Sequence, residues 1–331
     1  MSKEKKDALM EALEILDKKY GKGTVLTLGE KVSGKYDVIS TGSLNFDYNI
    51  LGIGGFAKGK LYELRGWEGV GKSTICGHAV ANCQNNGGKA LYIDGEHALD
   101  KTYFSALGVD VDSMYLSQPS SGEEGFSVAI ELIKTGKIDL VIIDSDSSLI
   151  PKSVILDGEV GGASIGKKAK LNSDVYPKLK NTLVTHNTCV LVVSQFREKI
   201  GVMFGNPETT QGGHALKYAA DCIIEIRKGT ASKDGEDIMG TLTRIKTIKN
   251  KMYPPFKKGE FEIIYGKGID KFGEILTLAV EMNIIQKAGS WYSYGEDKIG
   301  QGFDAVKLLI ADNPELYEEI EKKVIENFKN N

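Results

Sequence analysis

Cysteine is scarce in this chain of 331 residues: Cys76, Cys83, Cys189 and Cys222 are the full set, and no C-x-x-C spacing occurs among them. Buried, reduced thiols in a cytosolic protein are therefore expected, rather than a disulfide framework or a thiolate zinc site. No run approaches the roughly 18 apolar residues of a membrane span, and Ser2 to Lys19 is charged throughout with no apolar leader core. Neither a membrane helix nor a secretory signal is expected. Neither sign of charge dominates, since 42 basic against 45 acidic residues leaves a formal −3. That average neither demands nor excludes nucleic acid, because a local basic surface decides such binding. Histidine is also sparse. His78 and His186 fall in expected helices without a spaced partner, His97 follows Glu96, and His214 follows a glycine pair. None forms a nucleophile–base pair with Ser or Cys, so covalent catalysis is not expected.

What is present is Gly66-Trp67-Glu68-Gly69-Val70-Gly71-Lys72-Ser73-Thr74, a G-x-x-x-x-G-K-[ST] pattern. An expected strand (Lys60 to Arg65) precedes it and an expected helix (Ser73 to Asn86) follows, which is the context a P-loop requires. Glycines let successive backbone N–H groups converge on nucleotide phosphates while the positive end of the helix points at them. Lys72 is placed to reach the β- and γ-phosphates, and the Ser73 hydroxyl to join the shell of Mg²⁺.

The apolar run Ile138 to Ile143, ending in Asp144, reads as the strand whose carboxylate holds that ion through water. Asp94-Gly95-Glu96-His97 closes an earlier strand. Position alone leaves Glu96 either as a first-turn carboxylate of the next helix or as the group that polarises an attacking water. Strands and helices alternate to about Gln195, which predicts an α/β fold: a mostly parallel sheet flanked by helices.

Ahead of this core, Leu9, Leu13 and Leu16 share one face of a helix over Lys5 to Tyr20, closed by Gly21 and Gly23. That stripe packs on its own domain or on a neighbouring subunit. Gly34 to Gly59, rich in glycine and polar residues, reads as a linker. Two further stretches are Gly-rich: Asp157 to Gly166, and Glu198 to Gly213, the second too long for an ordinary connection and read as a functional loop. Lys167, Lys168, Lys170, Lys178 and Lys180 follow the first, as a solvated face or a phosphate track.

The segments Ile93 to Asp100, Lys199 to Thr210, Ala288 to Tyr294, Tyr20 to Gly23, Ile39 to Ser43 and Lys249-Asn250-Lys251 resemble the bacterial RecA recombinase family, from the first helix to about Phe328. The resemblance implies a RecA-type P-loop ATPase core (34–269) behind an N-terminal oligomerisation helix and linker (1–33), with a small α/β C-terminal domain (270–331). It implies a DNA-dependent ATPase that uses ATP and Mg²⁺, forms a helical homo-oligomer on single-stranded DNA and exchanges strands with homologous duplex DNA in the cytoplasm. A self-cleaving repressor is a further implied partner, carried by no residue here. Competing readings are a single-strand-coating protein that binds ATP without productive hydrolysis, and a hexameric helicase motor, for whose extra domain the chain has no room.

By the same resemblance, Glu96 is the catalytic carboxylate and Gln195 the γ-phosphate sensor. Asp100, Tyr103 and Tyr265 contact adenine, and Lys249 and Lys251 reach a neighbour's ATP. The first DNA loop takes in Gly158, Gly161, Gly162 and Ile165, with Lys167, Lys168 and Lys170 after it. The second takes in Gly201, Met203, Phe204, Gly205, Asn206, Thr209, Thr210, Gly212 and Gly213. Leu9, Leu13, Leu16 and Tyr218 belong to subunit interfaces, and Lys287 and Lys298 to duplex reception. Several departures stand out. Trp67, Gly69 and Val70 replace the family's usual Pro and two Ser, with Glu68 retained. Ser145-Asp146-Ser147-Ser148 replaces a more apolar run and is expected to add a carboxylate near the metal. Pro177 is expected to end or kink the helix after the first loop. The absence of a long acidic tail after Asn331 is expected to ease duplex entry and weaken magnesium dependence.

Overall fold

The computed structural model describes residues 3–27, 35–157, 164–198, 208–210, 212–234 and 237–330. The chain forms two units, Met1–Tyr36 and Asp37–Asn331. The first holds α1 (Lys3–Tyr20), closed by Gly21 and Gly23, both in the left-handed region. Leu9 and Ile15 are exposed, and Leu13 and Leu16 half-buried.

The second unit opens with β1 (Val38–Ile39) and β2 (Phe56–Ala57), antiparallel around a short π-helix at Asn45–Ile50. Here the expected linker is corrected. Phe46, Ile50, Leu51 and Phe56 are fully buried. The polar residues that read as turn chemistry serve a buried carboxylate: Asp47 accepts from Ser40 Oγ at 2.6 Å and Thr41 N at 2.9 Å.

Then come β3 (Leu61–Gly66), α2 (Lys72–Asn85), β4 (Ala90–Asp94), α3 (Lys101–Ala106), β5 (Tyr115–Ser117), α4 (Gly122–Lys134) and β6 (Leu140–Asp144). After these follow α5 (Lys152–Asp157), α6 (Ser164–Thr185), β7 (Cys189–Glu198), β8 (Glu208–Thr210) and α7 (Ala215–Ala219). Four more strands complete the sheet: β9 (Cys222–Asp234), β10 (Asp237–Asn250), β11 (Lys258–Ile264) and β12 (Gly268–Ile269). Their order is β12-β11-β10-β9-β3-β7-β6-β4-β5, parallel from β9 to β5 and antiparallel from β9 to β12.

Alternation along the parallel strands sorts the core into two layers. Leu140, Ile142, Leu191 and Val193 point to one face, with Ile75, Ala79 and Val80 of α2. Val141, Ile143, Val190 and Val192 point to the other, with Phe126 of α4 and Leu179 of α6. Pro177 does not end α6, which runs unbroken from Ser164 to Thr185. The lost N–H leaves Ser173 without its usual donor, but Tyr176, Leu179 and Leu183 are fully buried on both sides and hold the helix across it.

The chain ends in α8 (Lys271–Glu281), a three-stranded antiparallel sheet of β13 (Ile285–Ala288), β14 (Trp291–Tyr294) and β15 (Asp297–Gln301), then α9 (Phe303–Asp312) and α10 (Pro314–Asn330). These share a core built on Ile275, Leu276, Tyr292, Val306 and Ile320. Glu274 of α8 ties it to the chain's earlier turn, accepting from Ser43 Oγ at 2.5 Å and Leu44 N at 2.7 Å.

Candidate nucleotide site

Register explains why the site residues meet. Gly66 at the end of β3 pairs with Gln195 of β7, and Asp94 at the end of β4 pairs with Asp144 of β6. The carboxyl ends of β3, β4 and β6 therefore finish within about two residues of one another along β7, on the edge where α/β sheets bind ligands. Beyond β3 the chain turns sharply into α2, whose N-cap is Gly71 at φ 93°. A Cβ at Gly71 would lie 2.3 Å from Ile263 Cδ1, and one at Gly66 would lie 2.4 Å from the carbonyl oxygen of Ile226. The first glycine answers a backbone angle and the second a close approach of strands.

A cleft of about 300 Å³ opens there. Glu68, Gly69, Gly71, Lys72, Ser73 and Thr74 form its floor, and Glu96, Tyr103, Asp144, Gln195 and Tyr265 its walls. Lys72 Nζ donates to the carbonyls of Gly66 (3.1 Å) and Trp67 (2.6 Å). Burial lowers its pKa, opposed by the charges of Asp144 and Glu96. Asp144 Oδ2 accepts from Ser73 Oγ at 2.8 Å and Tyr92 Oη at 2.6 Å. Its carboxyl is raised by desolvation, with those hydrogen bonds pulling the other way. The donor set at this point is oxygen alone, which suits a hard cation such as Mg²⁺.

Glu96 does not serve the next helix. Asp100 is the N-cap of α3, its Oδ1 accepting from Thr102 N at 2.8 Å and Tyr103 N at 3.2 Å. Glu96 faces the cleft instead, with Oε1 accepting from Gln195 Nε2 at 2.7 Å and Ser145 Oγ at 2.6 Å. Tyr103 Oη lies 2.8 Å from Thr74 Oγ1, and Tyr265 is half exposed at the rim.

Asp100 and Val70 are not among the cleft-lining residues. Nor are Lys249 and Lys251: Lys249 donates to the carbonyls of Lys217 and Tyr218, and Lys251 lies 3.5 Å from Asp221. Tyr218 is exposed. Three lining residues escaped sequence reasoning: Thr241, Ile263 and Gly266, from β10, β11 and the turn after them. The hydroxyl of Thr241 is buried and has no hydrogen-bond partner among the described residues. No local motif marks these positions, since antiparallel pairing far along the chain brings them to the P-loop.

The lysine track is corrected in part. Lys168 is buried, with Nζ 3.3 Å from Asp146 Oδ1 and donating to the Leu149 carbonyl at 2.9 Å. Lys180 pairs with Asp221. Lys167, Lys170 and Lys178 do line a groove between α4 and α6. Asp146, expected beside the metal, also accepts from Tyr176 Oη at 2.7 Å and Asn172 Nδ2 at 3.0 Å, so its oxygens are committed to α6. Of the expected DNA-loop residues, Thr209 and Thr210 lie on β8, paired with Arg197 and Phe196. Gly212 and Gly213 adopt left-handed angles, and the Gly212 carbonyl accepts from Asn172. Gly158, Gly161, Gly162, Gly201, Met203, Phe204, Gly205 and Asn206, and the side chain of Ile165, lie outside the described residues.

A family model for the RecA N-terminal domain matches residues 7–270, and one for the RecA C-terminal domain matches 273–329. Protein RecA of Levilactobacillus brevis is 47% identical over 98% of this chain and 85% of its own length. Protein RecA of Porphyromonas gingivalis is 46% identical (98% and 95%), and that of Staphylococcus aureus strain JH9 44% identical (98% and 93%). With a P-loop, an acidic strand end and a glutamate–glutamine pair around one cleft, the chain belongs to the RecA family of DNA-dependent ATPases, which act in recombination and repair.

Proposed function

We propose that the cleft binds ATP with Mg²⁺ and that hydrolysis there drives filament formation on single-stranded DNA, homologous pairing with duplex DNA and strand exchange. The observation that carries this reading is the hydrogen bond from Gln195 to Glu96, across a cleft floored by Lys72 and Ser73. It joins the candidate base to the strand that leads into the second Gly-rich segment. Ser73 and, through water, Asp144 would hold the ion, which when bound neutralises charge on the β- and γ-phosphates. Lys72 positions the phosphates, and Glu96 polarises the attacking water. Tyr103 and Tyr265 would offer ring faces to the base, and Asp100, which caps α3 outside the cleft lining, would read its edge through its second carboxylate oxygen.

Lys249 and Lys251, outside their own cleft, would serve the site of the next subunit, so that ATP binds two protomers together and filament stability follows ATP by linkage. The glycines around 158–166 and 201–213, with Thr209, Thr210, Lys167 and Lys170, would hold DNA by its backbone without reading sequence. In this division residues 1–33 are the oligomerisation arm, with Leu9, Leu13 and Leu16 against the neighbour; 34–269 are the ATPase core and 270–331 the small C-terminal domain. Cytoplasmic residence accords with four buried free thiols. Among the described residues no helix is long and apolar enough to cross a membrane. A self-cleaving repressor as partner rests on family resemblance alone.

The test is phosphate release from ATP without DNA, with single strands and with duplex, for the natural chain, Lys72→Ala and Glu96→Gln. Strong stimulation by single strands that both variants abolish is expected. Hydrolysis indifferent to DNA, or unchanged in Glu96→Gln, would overturn the assignment.

A further inference from the structure

Trp67 is held from two sides. Its carbonyl accepts from Lys72 Nζ at 2.6 Å, and its indole Nε1 donates to Glu208 Oε1 at 2.8 Å. The ring meets Phe196 of β7 edge-on, with centroids 6.0 Å apart. Glu208, the first residue of β8, also takes a two-pronged contact from Arg227 of β9. Arg227 bonds Glu225 at 2.7 Å, and Glu225 pairs with Arg65 of β3 at 3.3 Å. A closed circuit of hydrogen bonds and ion pairs thus runs from the phosphate-binding turn to β8 and back to the strand that feeds that turn. Glu208 and Glu225 are largely buried, so their charges are only partly screened by solvent.

We infer that Trp67 is a positioning residue that couples nucleotide binding to DNA binding, through its indole hydrogen bond to β8, the strand that carries Thr209 and Thr210. The inference rests on the function proposed above, and adds a path separate from Gln195. A phosphate in the cleft competes for Lys72, whose present partners are the carbonyls of Gly66 and Trp67. Any shift of that turn is felt by the indole bond at its other side. DNA held at Thr209 and Thr210, which follow Glu208 on β8, acts on the same bond in reverse, and the coupling must be reciprocal. A proline at this position has no donor and cannot make the link.

The experiment measures single-strand affinity by anisotropy of a labelled oligothymidylate at fixed salt, with and without a slowly hydrolysed ATP analogue. The ratio of the two affinities is the coupling factor. Trp67→Phe keeps the ring but removes the donor, and since a hydrogen bond to a charged group is at stake, the factor should change roughly tenfold. Glu208→Ala should reproduce that change, while Glu208→Gln, which keeps an acceptor for the indole, should restore part of it. In a Trp291→Phe background, Trp67 emission should shift when the analogue binds, a signature that a purely structural ring would not give. Coupling factors within about twofold of the natural chain in Trp67→Phe and Glu208→Ala would overturn the inference, as would an emission unmoved by the analogue. A natural chain with no nucleotide dependence of DNA affinity would overturn the proposed function and this inference together.

Discussion

Gln195 Nε2 donates to Glu96 Oε1 across 2.7 Å, joining β7 to the turn after β4. The bond holds the carboxylate over the cleft and makes its position depend on the strand that leads toward the second Gly-rich segment. Glu96→Gln should lower kcat by roughly 10²–10⁴ with little change in KM, because the base acts in the transition state. Gln195→Ala should keep hydrolysis without DNA and lose its stimulation by single strands. Steady-state phosphate release with and without oligothymidylate separates the two effects.

A second prediction concerns Lys251, outside its own cleft. If it completes a neighbour's site, Lys251→Ala and Lys72→Ala should each be inactive alone yet recover hydrolysis when mixed. Some junctions then pair an intact P-loop with an intact lysine. Mixtures no more active than the sum of their components would place Lys251 outside the reaction.

Stability should carry a pH signature from Asp47 and Glu274. Burial pushes each carboxyl up to about 7, against hydrogen bonds that lower it. Between the ordinary carboxylate range and pH 7 the folded chain therefore holds protons that the unfolded chain has released. Stability from these two groups falls as pH rises through that window and levels off above it. In the double variant Asp47→Asn, Glu274→Gln, this component of the slope should vanish. Thermal midpoints of both chains between pH 4.5 and 8 provide the comparison, and parallel curves would refute the assignment.

The buried pair Lys168–Asp146 gives a fourth expectation. Lys168→Met leaves a carboxylate enclosed by α6 without its cation and should cost about 3–5 kcal/mol. Adding Asp146→Asn should recover part of that loss, giving a favourable coupling in a double-mutant cycle read by urea unfolding. Additive losses would mean that the two side chains do not share their charge.

The P-loop was legible because its glycines, lysine and hydroxyl answer local demands, and β3, β4, β6 and β7 pair in parallel as apolar strands whose site residues fall near one sheet edge. Asp144 and Glu96 could be placed for the same reason. Residues 38–57 were misread as a linker because Ser40, Thr41 and Ser43 look like turn chemistry, whereas their partners are the buried carboxylates of Asp47 and Glu274. The four antiparallel strands after Asp221 fell beyond the helix–strand alternation, so Thr241 and Ile263 stayed invisible as cleft residues. Lys168 looked solvated because its partner, Asp146, stands 22 residues away in sequence. Long-range pairing of charge is what a linear reading sees least well.

The burial of all four cysteines has a practical consequence. Desolvation raises each thiol, Cys83 and Cys222 to about 12, so the reactive thiolate is suppressed as well as enclosed. The folded chain is a blank ground for maleimide chemistry. A single cysteine placed on the exposed face of α1 or α10 would carry one fluorophore at one known position, and assembly on DNA could be followed without stripping the native sulfur from the core.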